Sequence, residues 1–248
     1  MKRMNLKAAL LYDLWTSLRS IRIFIIVMAL VWLAGLIMAV GLGSDSLHLN
    51  GFEVAAAIFA FVTGIVSVRE DLRLFLQNGC GRPTTFVLQL ILAVFLAIVL
   101  AVTGGLLLEL FRLVSGWVAP QIKIVSIYQL MGMAEGKNRV AAMLSGMGYI
   151  FFQSLPACLG GMAVSLLYYR LNKLGKVAVS IAVPVTLFIG IPVYLGTHPV
   201  VAHALASLIG GFIHAFSSTL ALTAVLSFAL AIFFALGSWL LLRRAPVN

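Results

Sequence analysis

Arg69-Glu70-Asp71-Leu72-Arg73-Leu74-Phe75-Leu76-Gln77-Asn78-Gly79-Cys80-Gly81-Arg82-Pro83 gathers five charges in a chain that has few. The spacing predicts a helix of about two turns, with Leu72, Phe75 and Leu76 on one face at i, i+3, i+4. Arg69 and Arg73 lie one turn apart on another face, beside Glu70. Asn78, Gly79, Gly81 and Pro83 stop it: glycine permits a left-handed cap and proline cannot continue a helix. Such a helix, with one apolar and one charged face, needs a surface to lie against. Lipid headgroups are one candidate and a partner protein is another.

On either side of this stretch the chain is apolar. Hydrophobic residues make up 62% and charged residues 10%, against about 25% charged in a soluble domain, and mean hydropathy is +1.13. This is the composition of an all-α integral membrane protein. The net charge of +10 does not call for nucleic acid, because Lys and Arg accumulate in cytoplasmic loops of membrane proteins. Cys80 and Cys158 form no framework and no metal spacing.

Read in order, residues 1–20 form an amphipathic helix. Leu6, Leu10, Leu14 and Leu18 recur every four residues, with Leu11 and Trp15 alongside, and Lys2, Arg3, Lys7, Asp13 and Arg19 lie off the stripe. A helix in the membrane plane is expected there, with Arg19 and Arg22 at the water boundary. Six spans then fill a bundle over 23–242: about 23–41, 52–68, 86–110, 140–168, 177–195 and 220–242, each near the roughly 20 residues that cross a bilayer. The first apolar run is too long for a signal-peptide core and reads as an uncleaved span. Residues 111–138 make the longest polar connection, with a surface helix expected over Ile122–Met133. Gly104-Gly105 points to close helix packing and Pro156 to a kink. Residues 243–248 are a tail, and 1–248 read as a single transmembrane domain.

With the N-terminus inside and six spans, 13 of the 17 basic residues fall on the inner side, and Arg112, Lys123, Lys137 and Arg139 fall outside. The positive-inside rule favours this arrangement, with both termini cytosolic in a plasma-membrane protein. A seventh span at 198–217 would move Arg243-Arg244 outside. That segment, short and interrupted by Gly210-Gly211, is therefore expected to be a re-entrant or surface element on the outer side.

No phosphate-binding G-x-x-x-x-G-K-[ST] loop occurs, nor an H-E-x-x-H or G-x-S-x-G motif, so catalysis by this chain and a bound cofactor or metal are not expected. His198 and His203, five residues apart, would point to different faces of a helix. Gln89, Glu109 and Gln153 are the candidate intramembrane polar groups. Glu109 lies near a span end, where Arg112 at i+3 offers an ion pair. No charge falls near the middle of a span, which disfavours an ion-coupled carrier.

The layout resembles the ABC-2 type (type V exporter-like) permeases, in the small six-span bacterial form. The local match is Phe61-Val62-Thr63-Gly64-Ile65-Val66 running into Arg69–Gly79 and Arg82-Pro83-Thr84. The resemblance implies a cytosolic coupling helix between spans two and three, with Arg69, Glu70, Asp71, Arg73, Phe75 and Gln77 docking on a separate ATP-binding subunit. It also implies pairing with a second copy or a similar permease, with ATP and Mg2+ on the partner, and export of an amphipathic compound such as a drug, peptide or lipid. The short connection Arg170–Lys176 departs from the pattern, because it offers little docking surface. The alternatives are an ion-coupled secondary carrier and a non-transporting membrane sensor or immunity protein.

Overall fold

The computed structural model describes residues 6–41, 47–77, 81–118 and 122–243, nearly all of them helical. In chain order the elements are α1 (Leu6–Gly41), strand β1 (Leu47–Leu49), α2 (Phe52–Gln77), α3 (Arg82–Val118), strand β2 (Ile122–Ile124) and the short α4 (Ile127–Leu130). Then come α5 (Arg139–Arg170), α6 (Lys173–Val185), a π-helical turn (Thr186–Gly190), α7 (Ile191–Thr197), α8 (Pro199–Ser218) and α9 (Leu220–Arg243). Six apolar helical stretches among the described residues are long enough to cross a membrane: Leu10–Met38, Arg82–Val118, Arg139–Arg170, Lys173–Thr197, Pro199–Phe216 and Leu220–Arg243. A shorter one spans Phe52–Val68.

The direction of each helix follows from what it touches. Gly64 of α2 abuts Cys158 of α5, and Gly161 of α5 abuts Phe61 of α2. Farther along, Ser165 Oγ donates to the Ile65 carbonyl at 2.9 Å. Glu53 near the start of α2 lines one pocket with Met147 and Ile150 of α5, and Ile65 lies beside Ser165, so the two numberings rise together and α2 and α5 are parallel. So are α5 and α9, since Gly148 lies near Leu220 and Gly160 near Phe234. Helices α1 and α3 run the other way: Asp13 lies by Asp71 and Phe24 stacks on Phe59 at 4.7 Å, while Leu88 packs on Phe75 and Gly104 meets Phe52. One end of the bundle therefore gathers the starts of α1 and α3 and the ends of α2, α5 and α9; it is called the near end below. The far end gathers the opposite termini and the two strands.

The seam between α2 and α5 is backbone against backbone. A Cβ on Gly64 would collide with the Cys158 carbonyl, and one on Gly161 with the Phe61 carbonyl. In a surrounding as apolar as the side chains themselves, close approach of this kind drives helix association. Gly104-Gly105 serves the same end, with Phe52 and Met147 filling the space that a side chain would need.

Several boundaries differ from the sequence reading. α1 runs through Arg19–Arg22 without a break, because residues 6–34 contain neither Gly nor Pro. The separate interfacial helix expected over 1–20 is thus, in its described residues 6–20, the first part of one helix about 54 Å long that runs on to Gly41. Its amphipathicity is also inverted. Leu11, Trp15 and Leu18 are exposed, while Asp13 and Ser17 face inward. The short helix at 69–77 is the last part of α2, and its apolar face is already used. Leu72 is 1% exposed and Phe75 0%, with Phe75 packed on Leu88 of α3 and Leu10 of α1. Of the stop expected at Asn78, Gly79, Gly81 and Pro83, the first two lie outside the described residues, while Gly81 directly precedes α3 and Pro83 sits in its first turn.

At the far end the surface helix expected over Ile122–Met133 is instead a strand and a single helical turn. β2 pairs with β1 in parallel, Leu47 opposite Ile122. The parallel sense follows from the parents: α1 and α3 rise side by side, so the segments leaving their tops run the same way. α3 also extends past Leu110 to Val118, with Phe111 and Ser115 buried. Trp32 stacks on Phe111 at 4.7 Å and donates its indole N–H to Ser115 Oγ at 3.1 Å.

The segment 173–218 hangs on this bundle with few contacts, and none of its apolar stretches is buried. Pro184 has no N–H to offer the carbonyl of Ser180. The helix widens just beyond it, where Ile191 N–H reaches the Thr186 carbonyl five residues back. α8 is one unbroken helix through Gly210 and Gly211, not the interrupted piece that the two glycines suggested.

Candidate functional site

Two clusters of polar side chains stand out in this apolar bundle, one at each end. At the far end Arg112 of α3 is the hub. Its Nη1 donates to Glu109 Oε1 at 2.7 Å, its Nε to the Ile124 carbonyl at 3.0 Å, and its Nη2 to Gln129 Oε1. Arg139 reaches the second Glu109 oxygen at 3.2 Å. The expected Glu109–Arg112 pair is therefore present, within a larger network. Glu53, placed at a helix start by its sequence, is 1% exposed; its Oε1 accepts the Ile127 N–H at 2.9 Å. Ser126 and Gln129 cap the turn reciprocally. The Tyr128 hydroxyl donates to the Met133 carbonyl at 2.6 Å and accepts from Lys137. The network ties the β2–α4 connection to α2, α3 and α5. Most donors and acceptors have a partner, with Glu53 Oε2 the buried oxygen left over, and such a network acts as a structural clasp.

The near end is different. A cavity of about 260 Å3 opens between α1 and α2, with Leu92 of α3 closing one side. α1 contributes Asp13, Thr16, Ser17 and Ser20, and α2 contributes Thr63, Ser67 and Asp71. Asp13 is 4% exposed and Asp71 7%. The two carboxyl groups lie close together on the lining of the cavity. Asp13 Oδ1 is buried with no hydrogen-bond partner. Ile23, Phe59, Val62 and Val66 complete the walls.

Of the residues singled out from the sequence, Asp71 lines this cavity and Phe75 is buried beyond it. Gln77 is exposed. Arg69, Glu70 and Arg73 lie on α2, and their side chains are outside the described residues. Gln89 is 2% exposed, with its Nε2 unpartnered. Gln153 Nε2 donates to the Tyr149 hydroxyl at 2.7 Å. These residues do not form one site. Asp13 is a buried charge-bearing residue near the start of the apolar stretch Leu10–Met38, not near its middle. A signal for the cavity was present. Asp13, Thr16, Ser17 and Ser20 follow i, i+3, i+4, i+7, and Thr63, Ser67 and Asp71 follow i, i+4, i+8, two polar stripes at helical spacing on apolar helices. Among the described residues no group of three or more His, Cys, Asp or Glu is placed to hold a metal ion. No protein-family model, curated protein or solved structure matches the chain.

Proposed function

We propose that this chain is the membrane-spanning permease subunit of an ABC-type transporter, similar in layout to the ABC-2 permeases, and that a separate ATP-binding subunit powers it. The observation that carries the reading is the parallel packing of α5 and α9. Parallel neighbours require the chain between them to return along the bundle. α6 leaves the near end and α9 starts at the far end, so α6, α7 and α8 together make one net crossing. If α6–α7 is that crossing, α8 stays on the far side as an extra element before the last span, and six crossings put both termini on the near side. That is the layout the resemblance implies. The near end also carries Arg19, Arg22, Arg82, Arg170, Lys173, Lys176 and Arg243, which supports a cytosolic near end.

The docking element of this reading is the end of α2, not a free amphipathic helix. Because α2 continues from the bundle into this segment, a push on Arg69 or Arg73 would move the whole helix against α5, as a rigid element. The test is to purify the tagged chain from its host under mild solubilisation and identify what accompanies it. An ATPase with a phosphate-binding loop is expected in comparable amount, and it should be lost when Arg69→Glu and Arg73→Glu are combined. A chain that purifies alone, even after crosslinking, overturns the proposal.

One observation favours a second reading, an ion-coupled carrier: the buried Asp13–Asp71 pair, since ionisable groups inside a bundle mark ion and substrate pathways. Uptake into liposomes driven by an ion gradient alone would select it.

A further inference from the structure

We propose that the cleft between α5 and α6 at the near end holds one anionic phospholipid, its phosphate at Lys176 and Tyr168 and the start of an acyl chain against Val164 and Ile65. Three features carry this, and none depends on whether the chain works with an ATPase.

The first is the order of side chains along the cleft. A cavity of about 510 Å3 is lined by Ile65 of α2, by Val164, Ser165, Tyr168 and Tyr169 of α5, and by Lys176 of α6. The Tyr168 hydroxyl lies 3.1 Å from Ser180 Oγ, and a Cβ on Gly175 would touch Leu171. Numbers fall on α5 as they rise on α6, so the two helices form a hairpin that turns at the near end. Along α5 towards that turn, apolar Val164 gives way to Tyr168 and Tyr169, and these to Arg170, over about 9 Å of helix. A phospholipid read from chain to headgroup has the same order: hydrocarbon, ester region, phosphate. Tyrosine favours the middle depth, and a lysine lays its methylene stem on apolar surface with its ammonium towards water.

The second is charge. Arg170, Lys173 and Lys176 follow one another around the hairpin, and among the described residues the lining holds no acid. The end of α2 carries two acids. Asp71 lines the other near-end cavity, which leaves Glu70. A pair between Glu70 and any one of the three cations would still leave two positive charges at the mouth of the cleft. Basic side chains gathered at a pocket between spans recognise phosphate headgroups.

The third is the gap itself. α6 buries none of its described residues. Val177 and Ile181 are exposed just past Lys176, as are Val164 and Leu167 on α5, so the deeper part of the cleft has an apolar mouth. An empty gap there would cost its walls their van der Waals contacts, and in a bilayer the molecule at hand to restore them is lipid. A volume of about 510 Å3 lies within the range of small-molecule sites.

The experiment uses the full chain, stripped of lipid in an uncharged detergent, with phosphatidylglycerol as the probe and native mass spectrometry as the readout. Saturable one-to-one retention is expected, with phosphatidylcholine of the same chains held about tenfold more weakly. Lys176→Gln should weaken phosphatidylglycerol retention about tenfold, the worth of a hydrogen bond to a charged group, while Lys123→Gln at the far end should leave it unchanged. Val164→Trp, which fills the apolar part of the cleft, should weaken retention without touching a charge; it decides the matter if Lys176→Gln does not fold. Three results overturn the proposal: equal retention of the two lipids, no loss in either cleft variant, or displacement of the lipid by an equal concentration of glycerol 3-phosphate, which would mark a site for a free phosphate. The assay contains no ATPase, so failure of the permease reading would leave its outcome intact.

Discussion

Glu109 and Asp13 are both carboxylates in a chain with seven acidic residues, and the two ends of the bundle treat them in opposite ways. Glu109 is met by two arginines, at 2.7 and 3.2 Å, and both of its oxygens are matched. Asp13 is buried deeper, beside a second acid, with one oxygen unmatched. A cluster whose charges are met by opposite charges rigidifies even with one oxygen, Glu53 Oε2, left over, while an acid buried beside another acid lowers stability. The difference marks the far end as the clasp that holds the helices together.

The largest effect should come from separating the two ends' common frame. Gly161→Leu would drive a side chain into the Phe61 backbone, where no flexible group can yield. A cost of about 3 kcal/mol or more is expected for such overpacking. The measurement is the yield of monodisperse protein after size-exclusion chromatography, which should fall sharply. Near-normal yield would mean that α2 and α5 slide freely, and that the two ends are not one rigid unit.

The sharper contrast is between Arg112→Ala and Asp13→Asn, read as melting temperature in the same detergent. Arg112→Ala leaves Glu109 half-matched and frees the Ile124 carbonyl and Gln129, and a loss of about 2–3 kcal/mol follows from stranding partly buried polar groups. Asp13→Asn removes a buried acid whose one oxygen has no partner, and its amide still donates towards Asp71. Stability should hold or rise. Equal destabilisation by the two substitutions would erase the distinction between the two ends.

Much of the fold was legible from periodicity alone. The apolar runs that became α2, α3, α5 and α9 are continuous and bounded by charge, and Gly104-Gly105 announced a close approach. The pairing of Glu109 with Arg112 was legible too, because it is local to one helix turn. What escaped was what depends on neighbours. Asp13 looked solvent-facing because a charge on an amphipathic helix is assumed to face water. In a bilayer the apolar stripe of Leu11, Trp15 and Leu18 faces lipid instead, and the polar face turns inward. The stretch 69–77 looked like a separate helix because charge interrupts the apolar run at Arg69, yet nothing in Val68–Leu74 breaks a helix. The strand pair was hidden because three residues carry no usable period, and their pairing is imposed by the parallel rise of α1 and α3.

The weakest prediction concerns the rim of the clasp. Arg139 contributes the longer of the two Glu109 contacts and its side chain is 70% exposed, against 21% for Arg112. An exposed arginine gives up side-chain freedom to hold a geometry that water and salt screen. Arg139→Ala should therefore shift stability by no more than about 0.5 kcal/mol, and the shift should vanish in high salt, whereas the Arg112→Ala loss should persist. A large, salt-resistant effect at Arg139 would mean that the far-end network is buried in the working protein. The surface that buries it would then have to come from a second copy or a partner seated over α5.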